Sequence, residues 1–513
     1  MKKINTLLTA ILFITTFCST AQPTIEWQKS LGGTGSDGAT TIQQTADGGY
    51  IVAGASISTD GDVTGNHGGN DYWVVKLNST GTITWQKCLG GTGDDFASSI
   101  QQTIDGGYIV AGYSESTNGD VTGNHGGQDY WVIKLDSTGS ITWQKSLGGT
   151  SQDYAYAIQQ TADGGYVVAG KSSSANGDVT SNNGVMDYWV VKLTGTGAID
   201  WQKSLGGTGD DWANSIQQTA DGGYIIVGYS ESVDGDVFGN HGSLDYWVVK
   251  LDSTGAIDWQ KSLGGNDWDY AWFIQQTTDG GYIVAGYAYS NNGDVTSNHG
   301  FDDYWVVKLD SLGAIDWQKC LGGTNSERAI SIQQTADGGY IVAGASKSTN
   351  GDVTGNHGNY DYWVVKLTNL GAIDWQKALG GTGGDYAYSI QQTADGGYIV
   401  AGYTTSTDGD VTGNHGDYDY WVVKLSPAVG VVEITELSEF SVFPNPTTNQ
   451  ITVKVNPKLV GAFYTVFDNM GKMVLSGQLN SENTIIELGN LSGGIYLLNV
   501  GENSQQTFKV IKE

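Results

Sequence analysis

The stretch GDVTGNHGGNDYWVVKL, Gly61 to Leu77, gathers carboxylates, an imidazole, amides and glycines in one short run. Close variants of it occur seven times along the chain. All six histidines of the protein sit in these copies, as His67, His125, His241, His299, His357 and His415, and the remaining copy carries Asn183 instead. A zinc-type centre needs several such ligands in one coordination sphere. Stacked sheets lie ~10 Å apart, so equivalent histidines of successive units cannot share an ion. The imidazole therefore reads as a hydrogen-bond donor within its own loop. Calcium suits the same loop better. The position of Asp60 is Asp or Asn in every copy, a glycine follows, and Asp62 and Asp71 recur throughout. Oxygen ligands around a glycine bend fit a hard cation, and the same residues also form Asx turns that hold no ion.

A second set of residues is marked by variation between the copies. The position of Gly38 reads Phe96, Tyr154, Trp212, Tyr270, Arg328 and Tyr386 in the later copies. Two residues on, Thr40 is replaced by Ser98, Tyr156, Asn214, Trp272, Ile330 and Tyr388. On a strand such an i, i+2 pair points to the same side. Trp268 stands just before this strand, and Arg328 is the only arginine in the chain. Lys171 and Lys347 are further departures, at the ends of third strands. Flat aromatic rings beside carboxylates and amides suit the stacking and hydrogen bonding of sugars. Catalysis finds less support. A glycosidase needs two carboxyl groups of separated pKa, and the recurrent aspartates recur in every copy. Every histidine is taken by the repeat, which leaves no nucleophile–His–Asp set, and no catalytic residue is assigned.

These residues are carried on a strict repeat. The Trp-Gln-Lys motif returns at Trp27, Trp85, Trp143, Trp201, Trp259, Trp317 and Trp375, always 58 residues apart. Each unit holds four strand-like runs, IEWQKSL, ATTIQQT, YIVAGAS and DYWVVKL in the first copy, with an ADGG hairpin turn between the second and third. Four strands per repeat and no helical periodicity predict an all-β, seven-bladed β-propeller. A stacked solenoid would need atypical polar end repeats, and the terminal copies here are regular. The array opens on a lone WQK strand and ends on DYWVVKL, which predicts a three-plus-one closure: the first strand completes the last blade beside Asp419–Leu425. The two long connections of each unit fall on one face, the upper one, where the variable residues gather.

Composition bounds the partners. Lys plus Arg number 24 against 54 Asp plus Glu, a formal charge of −30. Such a surface repels phosphates, so neither nucleic acid nor anionic lipid is expected as a partner. Residues 1–21 read as a secretory signal: Lys2 and Lys3, an apolar run Leu7 to Phe17, and Ser19-Thr20-Ala21 before Gln22. No later segment has the ~20 apolar residues that span a bilayer. Cys88 and Cys320 occupy the repeat position of Ser30, four repeats apart, and read as core-filling residues.

The domain expectations are a propeller over 22–426, a linker over 427–439, and a small β-sandwich over 440–513. The motifs WQKSLGG, Asp37, DGGYIVAG and DYWVVKL resemble the β-propeller repeats of secreted bacterial proteins, over about 400 residues. The last segment carries FPNPTTNQITV, the turn Asp468-Asn469-Met470-Gly471-Lys472, LSGGIYLLNV and a terminal FKVIKE. It resembles the type A sorting domain of the type IX secretion system. That resemblance implies passage across an outer membrane by that machinery, and release or attachment at the surface. Three functions remain open: a binding or adhesion protein for extracellular glycan or polymer, a polysaccharide hydrolase or lyase, and a surface scaffold. The near-identity of the blades favours binding or scaffold, because an active site usually distorts one or two repeats.

Overall fold

The computed structural model describes residues 22–428, 440–455, 457, 460–469, 471–500 and 506–513. The signal segment 1–21 and most of the linker lie outside them. The described residues divide into two compact units, and no helix among them is long and apolar enough to cross a membrane.

The larger unit is a ring of seven four-stranded antiparallel sheets. The opening strand β1 (Ile25–Leu31) is followed by β2 (Asp37–Gln44), β3 (Tyr50–Ser56), β4 (Asp71–Leu77) and β5 (Ile83–Leu89). Strands β2 to β5 form the first blade, and the next five blades repeat that order. The last blade holds Asp385–Gln392, Tyr398–Thr404, Asp419–Leu425 and, at its outer edge, β1. Leu31 pairs with Tyr420 and Ile25 with Leu425, so two segments some 400 residues apart form one ladder. No blade is left with an unpaired edge at the seam.

Burial follows from this layout. Strands β3 and β4 are buried along their whole length, because each is covered on both faces by neighbouring blades. That explains their unbroken apolar runs. The outer strand β1 is only partly buried until its last two residues, Ser30 and Leu31. Trp73 has no exposed surface, and its ring lies 4.5 Å from that of Tyr420 in the preceding blade. Its Nε1 donates to Gln86 Oε1 at 2.9 Å, which gives the Gln of the WQK motif its role. Lys76, nearly buried, reaches Asp47 of the ADGG turn at 2.9 Å and donates to the Leu77 carbonyl at 3.1 Å.

Adjacent blades are tied by repeated hydrogen bonds. Tyr72 Oη donates to the Trp131 carbonyl at 2.9 Å, and the series runs round to Tyr420, which donates to the Trp73 carbonyl at 2.9 Å. The Gln-Gln pair ending each inner strand provides two more rings. Gln43 Oε1 accepts the backbone N–H of Gln102 at 2.6 Å, and the equivalent bond recurs at every junction, closing with Gln391 and Gln44. Gln102 Oε1 in turn accepts the N–H of Ala46 in the turn of the blade before it.

The smaller unit packs a three-stranded sheet (Phe440–Phe443, Gln450–Val455, Asn483–Glu487) with a four-stranded one (Met473–Gln478, Phe463–Phe467, Gly494–Val500, Gln506–Lys512). Ile451, Val466, Ile486, Leu498 and Val510 form its core.

Candidate functional site

The acidic loop resolves into a junction between blades. Asp37 and Asp419 are both fully buried, and they converge on Gly32 from two repeats. A Cβ on Gly32 would lie 2.5 Å from Oδ2 of Asp37 and 2.6 Å from Oδ1 of Asp419, so no other residue fits there. Asp37 accepts from the Gly33 N–H and the hydroxyls of Ser56 and Ser58. Asp419 Oδ2 accepts from the backbone N–H and Nδ1 of His415, at 2.8 and 2.7 Å, and its Oδ1 has no partner. The histidine is thus a donor in its own loop, as the sequence suggests. Where Asn183 replaces it, the backbone bond to Asp187 persists at 2.7 Å. Burial raises the pKa of the aspartates in these pairs. It takes Asp129, Asp187, Asp211 and Asp303 up to about 6 and Asp269 to about 7.

This geometry corrects the expected calcium set. Asp60, Asp62 and Asp71 do not share a sphere. Asp60 accepts from the Thr34 N–H, and Asp62 Oδ2 approaches the Gly32 N–H at 3.4 Å, in the junction of Asp37 and Asp419. Asp71 belongs to the next junction, beside Asp95 and Gly90. The physical reason is connectivity: the loop leaves one junction and enters the next before its final aspartate. Among the described residues no group of three or more His, Cys, Asp or Glu is placed to hold a metal ion.

The variable aromatics lie on the upper face, and a bulge decides where each one points. In every blade the inner strand slips register between the positions of Ala39 and Thr41. Residue 40 is the extra one, so the i, i+2 rule for one side fails here. Tyr156, Trp272 and Tyr388, at that position, line an axial mouth of about 330 Å³ together with Phe96 and Tyr113. The residues at the position of Gly38 pack against their cross-strand partners and the adjoining blade instead, and of them Phe96 also reaches the mouth. Phe96 stacks on Tyr113 at 5.2 Å, and Tyr113 meets Tyr154 edge-on at 4.6 Å. Trp212, Tyr229, Tyr270 and Tyr287 continue the chain of rings, as do Tyr386, Tyr403 and Tyr418. Trp268 stands apart on the rim against Tyr289.

Sequence reasoning overlooked the cross-strand partners Tyr113, Tyr229, Tyr287 and Tyr403. The signal was available, since the position of Ala55 also varies from copy to copy.

One cation is buried in this collar and a second stands partly exposed at its edge. Lys171 Nζ lies 3.0 Å from the centroid of Trp212 and 4.7 Å from that of Tyr154, and burial pulls its pKa down to about 8. Arg328 Nε donates to Asp302 at 2.7 Å and an Nη donates to Tyr289 Oη at 3.2 Å. Glu327, its sequence neighbour, takes the buried position of Asp37 in its blade and accepts from Gly323 at 2.7 Å. One gap interrupts the rings. Only the first blade has a small residue at both variable positions and no cation, Gly38 opposite Ala55. A cavity of about 340 Å³ opens there, walled by Phe96, Tyr388, Tyr403 and Tyr418.

Residues 441–513 match the family of secretion system C-terminal sorting domains. Over 422 residues the chain is 25% identical to the regulatory protein FlaEY of Caulobacter vibrioides, a match covering 72% of this chain and 42% of that one. The chain thus spans less than half the length of this curated relative. Among solved structures, the extracellular domain of a hybrid two-component system from B. thetaiotaomicron is similar at a TM-score of 0.41 and 10% identity, covering 93% of this chain and 57% of the other. PorZ, a surface component of the type IX secretion system of Porphyromonas gingivalis, is similar at a TM-score of 0.33 and 12% identity, covering 91% and 69%. Likeness of that order transfers neither ligand nor activity. The C-terminal unit is a sorting domain of the type IX secretion system, and the chain is a β-propeller protein that is secreted or carried to the cell surface.

Proposed function

We propose that the ring is a binding or adhesion module whose upper face takes an extracellular glycan or a related polymer. The observation that supports this is the notch at Gly38. Its walls are tyrosine and phenylalanine faces, and it joins the axial mouth through Thr40, Phe96 and Tyr388. Aromatic faces with phenolic hydroxyls at their edges stack on sugar rings and hydrogen-bond to sugar hydroxyls at small entropic cost. The type IX machinery is the partner implied for residues 440–513.

The test incubates the full chain with a panel of polysaccharides while tryptophan fluorescence and released reducing ends are followed together. Saturable fluorescence change without product, lost in Tyr388→Ala/Tyr403→Ala and in Gly38→Trp, is the expected result. Released product would move the reading to a hydrolase or lyase. Silence in both channels would leave a scaffold.

A further inference from the structure

Below the aromatic collar the axial channel continues. Its lower part, about 240 Å³, shares with the mouth a belt at the position of Thr41 that includes Ser99, Ser215, Ser331 and Ser389. Beneath the belt, Gln43 and its six counterparts, one from each blade, line the cavity. No lining residue of this lower part is titratable.

The fold has already used the acceptors of these groups. Each glutamine Oε1 takes a backbone N–H of the next blade, at 2.6 to 2.7 Å. That bond fixes the orientation of the carboxamide, because only the oxygen can accept. The Nε2 groups of all seven find no acceptor among the described residues. The serines of the belt are tied to the next blade in a similar way, although Ser389 also donates to the Ile42 carbonyl at 3.4 Å and Ala157 and Phe273 hold two of the other belt positions. Ser99, Ser215, Ser331 and Ser389 accept the backbone N–H of an isoleucine in the adjoining blade, at 3.2 to 3.4 Å. At the level of the seven glutamines, used acceptors and free donors give the channel one hydrogen-bonding polarity. Converging neutral N–H donors with no competing carboxylate are a setting for negative charge.

We propose that the carboxamide ring binds a small oxyanion on the ring axis, either a free ion of the sulfate or phosphate type or the same group at the end of a polymer chain. The formal charge of −30 is spread over the whole chain, and at physiological salt it is screened over ~8 Å. The site stands on donors below the collar, so it holds or fails independently of the glycan reading.

The test titrates inorganic sulfate into the full chain by calorimetry, at constant ionic strength. One saturable site per chain is expected. In Gln159→Glu/Gln333→Glu each carboxylate keeps the acceptor that holds the neighbouring blade but removes the donors, so affinity should fall at least tenfold while Tm stays nearly unchanged. Absence of a saturable site in the unmodified chain, or an affinity that the double variant leaves intact, overturns the proposal. Should the variant not fold, selenate diffused into crystals of the unmodified chain decides: an anomalous peak on the axis at the glutamine ring supports the site, and its absence overturns it. Tighter binding of a sulfated oligosaccharide than of sulfate would assign the polymer end as the source, and the reverse the free ion.

Discussion

Asp37 and Asp419 are separated by nearly the whole ring in sequence, yet their carboxyl oxygens flank the same α-carbon, that of Gly32. Both are fully buried, and each raises the cost of ionising the other. Seven such pairs make proton uptake a part of folding. For their aspartates the folded pKa lies above the ordinary 3.8, at about 6 to 7 where the shift is largest. The stabilisation from the bound proton is complete below 3.8 and is lost as pH rises through the folded value. The Asp47-type carboxyls act oppositely. Hydrogen bonds from Thr45, Lys76 and Gly49 and the Lys76 charge hold Asp47 at about 2, outweighing its desolvation, so its contribution is present above 3.8 and lost toward pH 2. Thermal unfolding across pH should therefore show Tm highest near pH 4–5 and lower by at least about 5 °C at pH 8. A Tm that climbs from pH 5 to pH 8 would contradict it.

Calcium should not replace those protons. Three of the four oxygens of the Asp37–Asp419 pair already accept hydrogen bonds from the protein. The expected outcome is one Tm, within about 1 °C, in EDTA and in millimolar calcium. A rise of several degrees with calcium would restore the cation reading at the rebuilt junctions.

The tyrosine latch offers a direct measure of blade-to-blade coupling. Removing the hydroxyl in Tyr246→Phe leaves the buried Trp305 carbonyl, now accepting at 3.0 Å, without that donor. The loss should be about 1–3 kcal/mol in denaturant unfolding. Tyr246→Phe combined with Tyr72→Phe, at a distant junction, should be nearly additive.

Lys171 is a buried cation among three rings with no hydrogen-bonded partner among the described residues. Its folded pKa of about 8 lies below the free value, so folding carries a penalty at neutral pH that fades as pH rises from 8 toward 10.5. Lys171→Met keeps the volume and removes the charge. It should stabilise the ring by roughly 1 kcal/mol at pH 7, after the lost cation–π attraction is offset, and by less at pH 10. Loss of stability at pH 7 would show that the ring contacts outweigh desolvation.

The seam predicts a further result. Without residues 25–31 the strand Asp419–Leu425 would expose its hydrogen-bonding edge. A chain shortened in this way should form dimers or larger species, and a synthetic peptide of sequence IEWQKSL should return it to monomer. A stable, monomeric shortened chain with an unchanged Tm would contradict the closure role.

Strand order and closure were legible because the repeat is strict and its phase is offset by one strand, so β1 had no other place to pair. The role of His67 was legible from the Asn183 copy. Two parts of the site were not. The bulge at Thr40 carries no glycine or proline of its own; the glycine that accompanies it, Gly54, lies opposite on the partner strand, where a Cβ would clash with the Gly38 carbonyl. The loop from Asp60 to Asp71 reads as one local unit, while the junctions it serves belong to different pairs of blades. The Gln-Gln pairs looked like ordinary strand ends, since hydrogen bonds to a neighbouring repeat leave no periodic trace within one.

Those glutamine bonds carry one last consequence. Each joins residues 59 apart in sequence, and only at the seam does the interval become 347. Every instruction in the repeat therefore concerns the next repeat alone, and none of them counts. The number of blades is the number at which accumulated rotation returns the last edge to the first strand. Gain or loss of one whole 58-residue unit leaves every local bond writable and changes only the angle between neighbours. By that logic, duplicating a whole repeat should disturb the fold less than inserting a single residue.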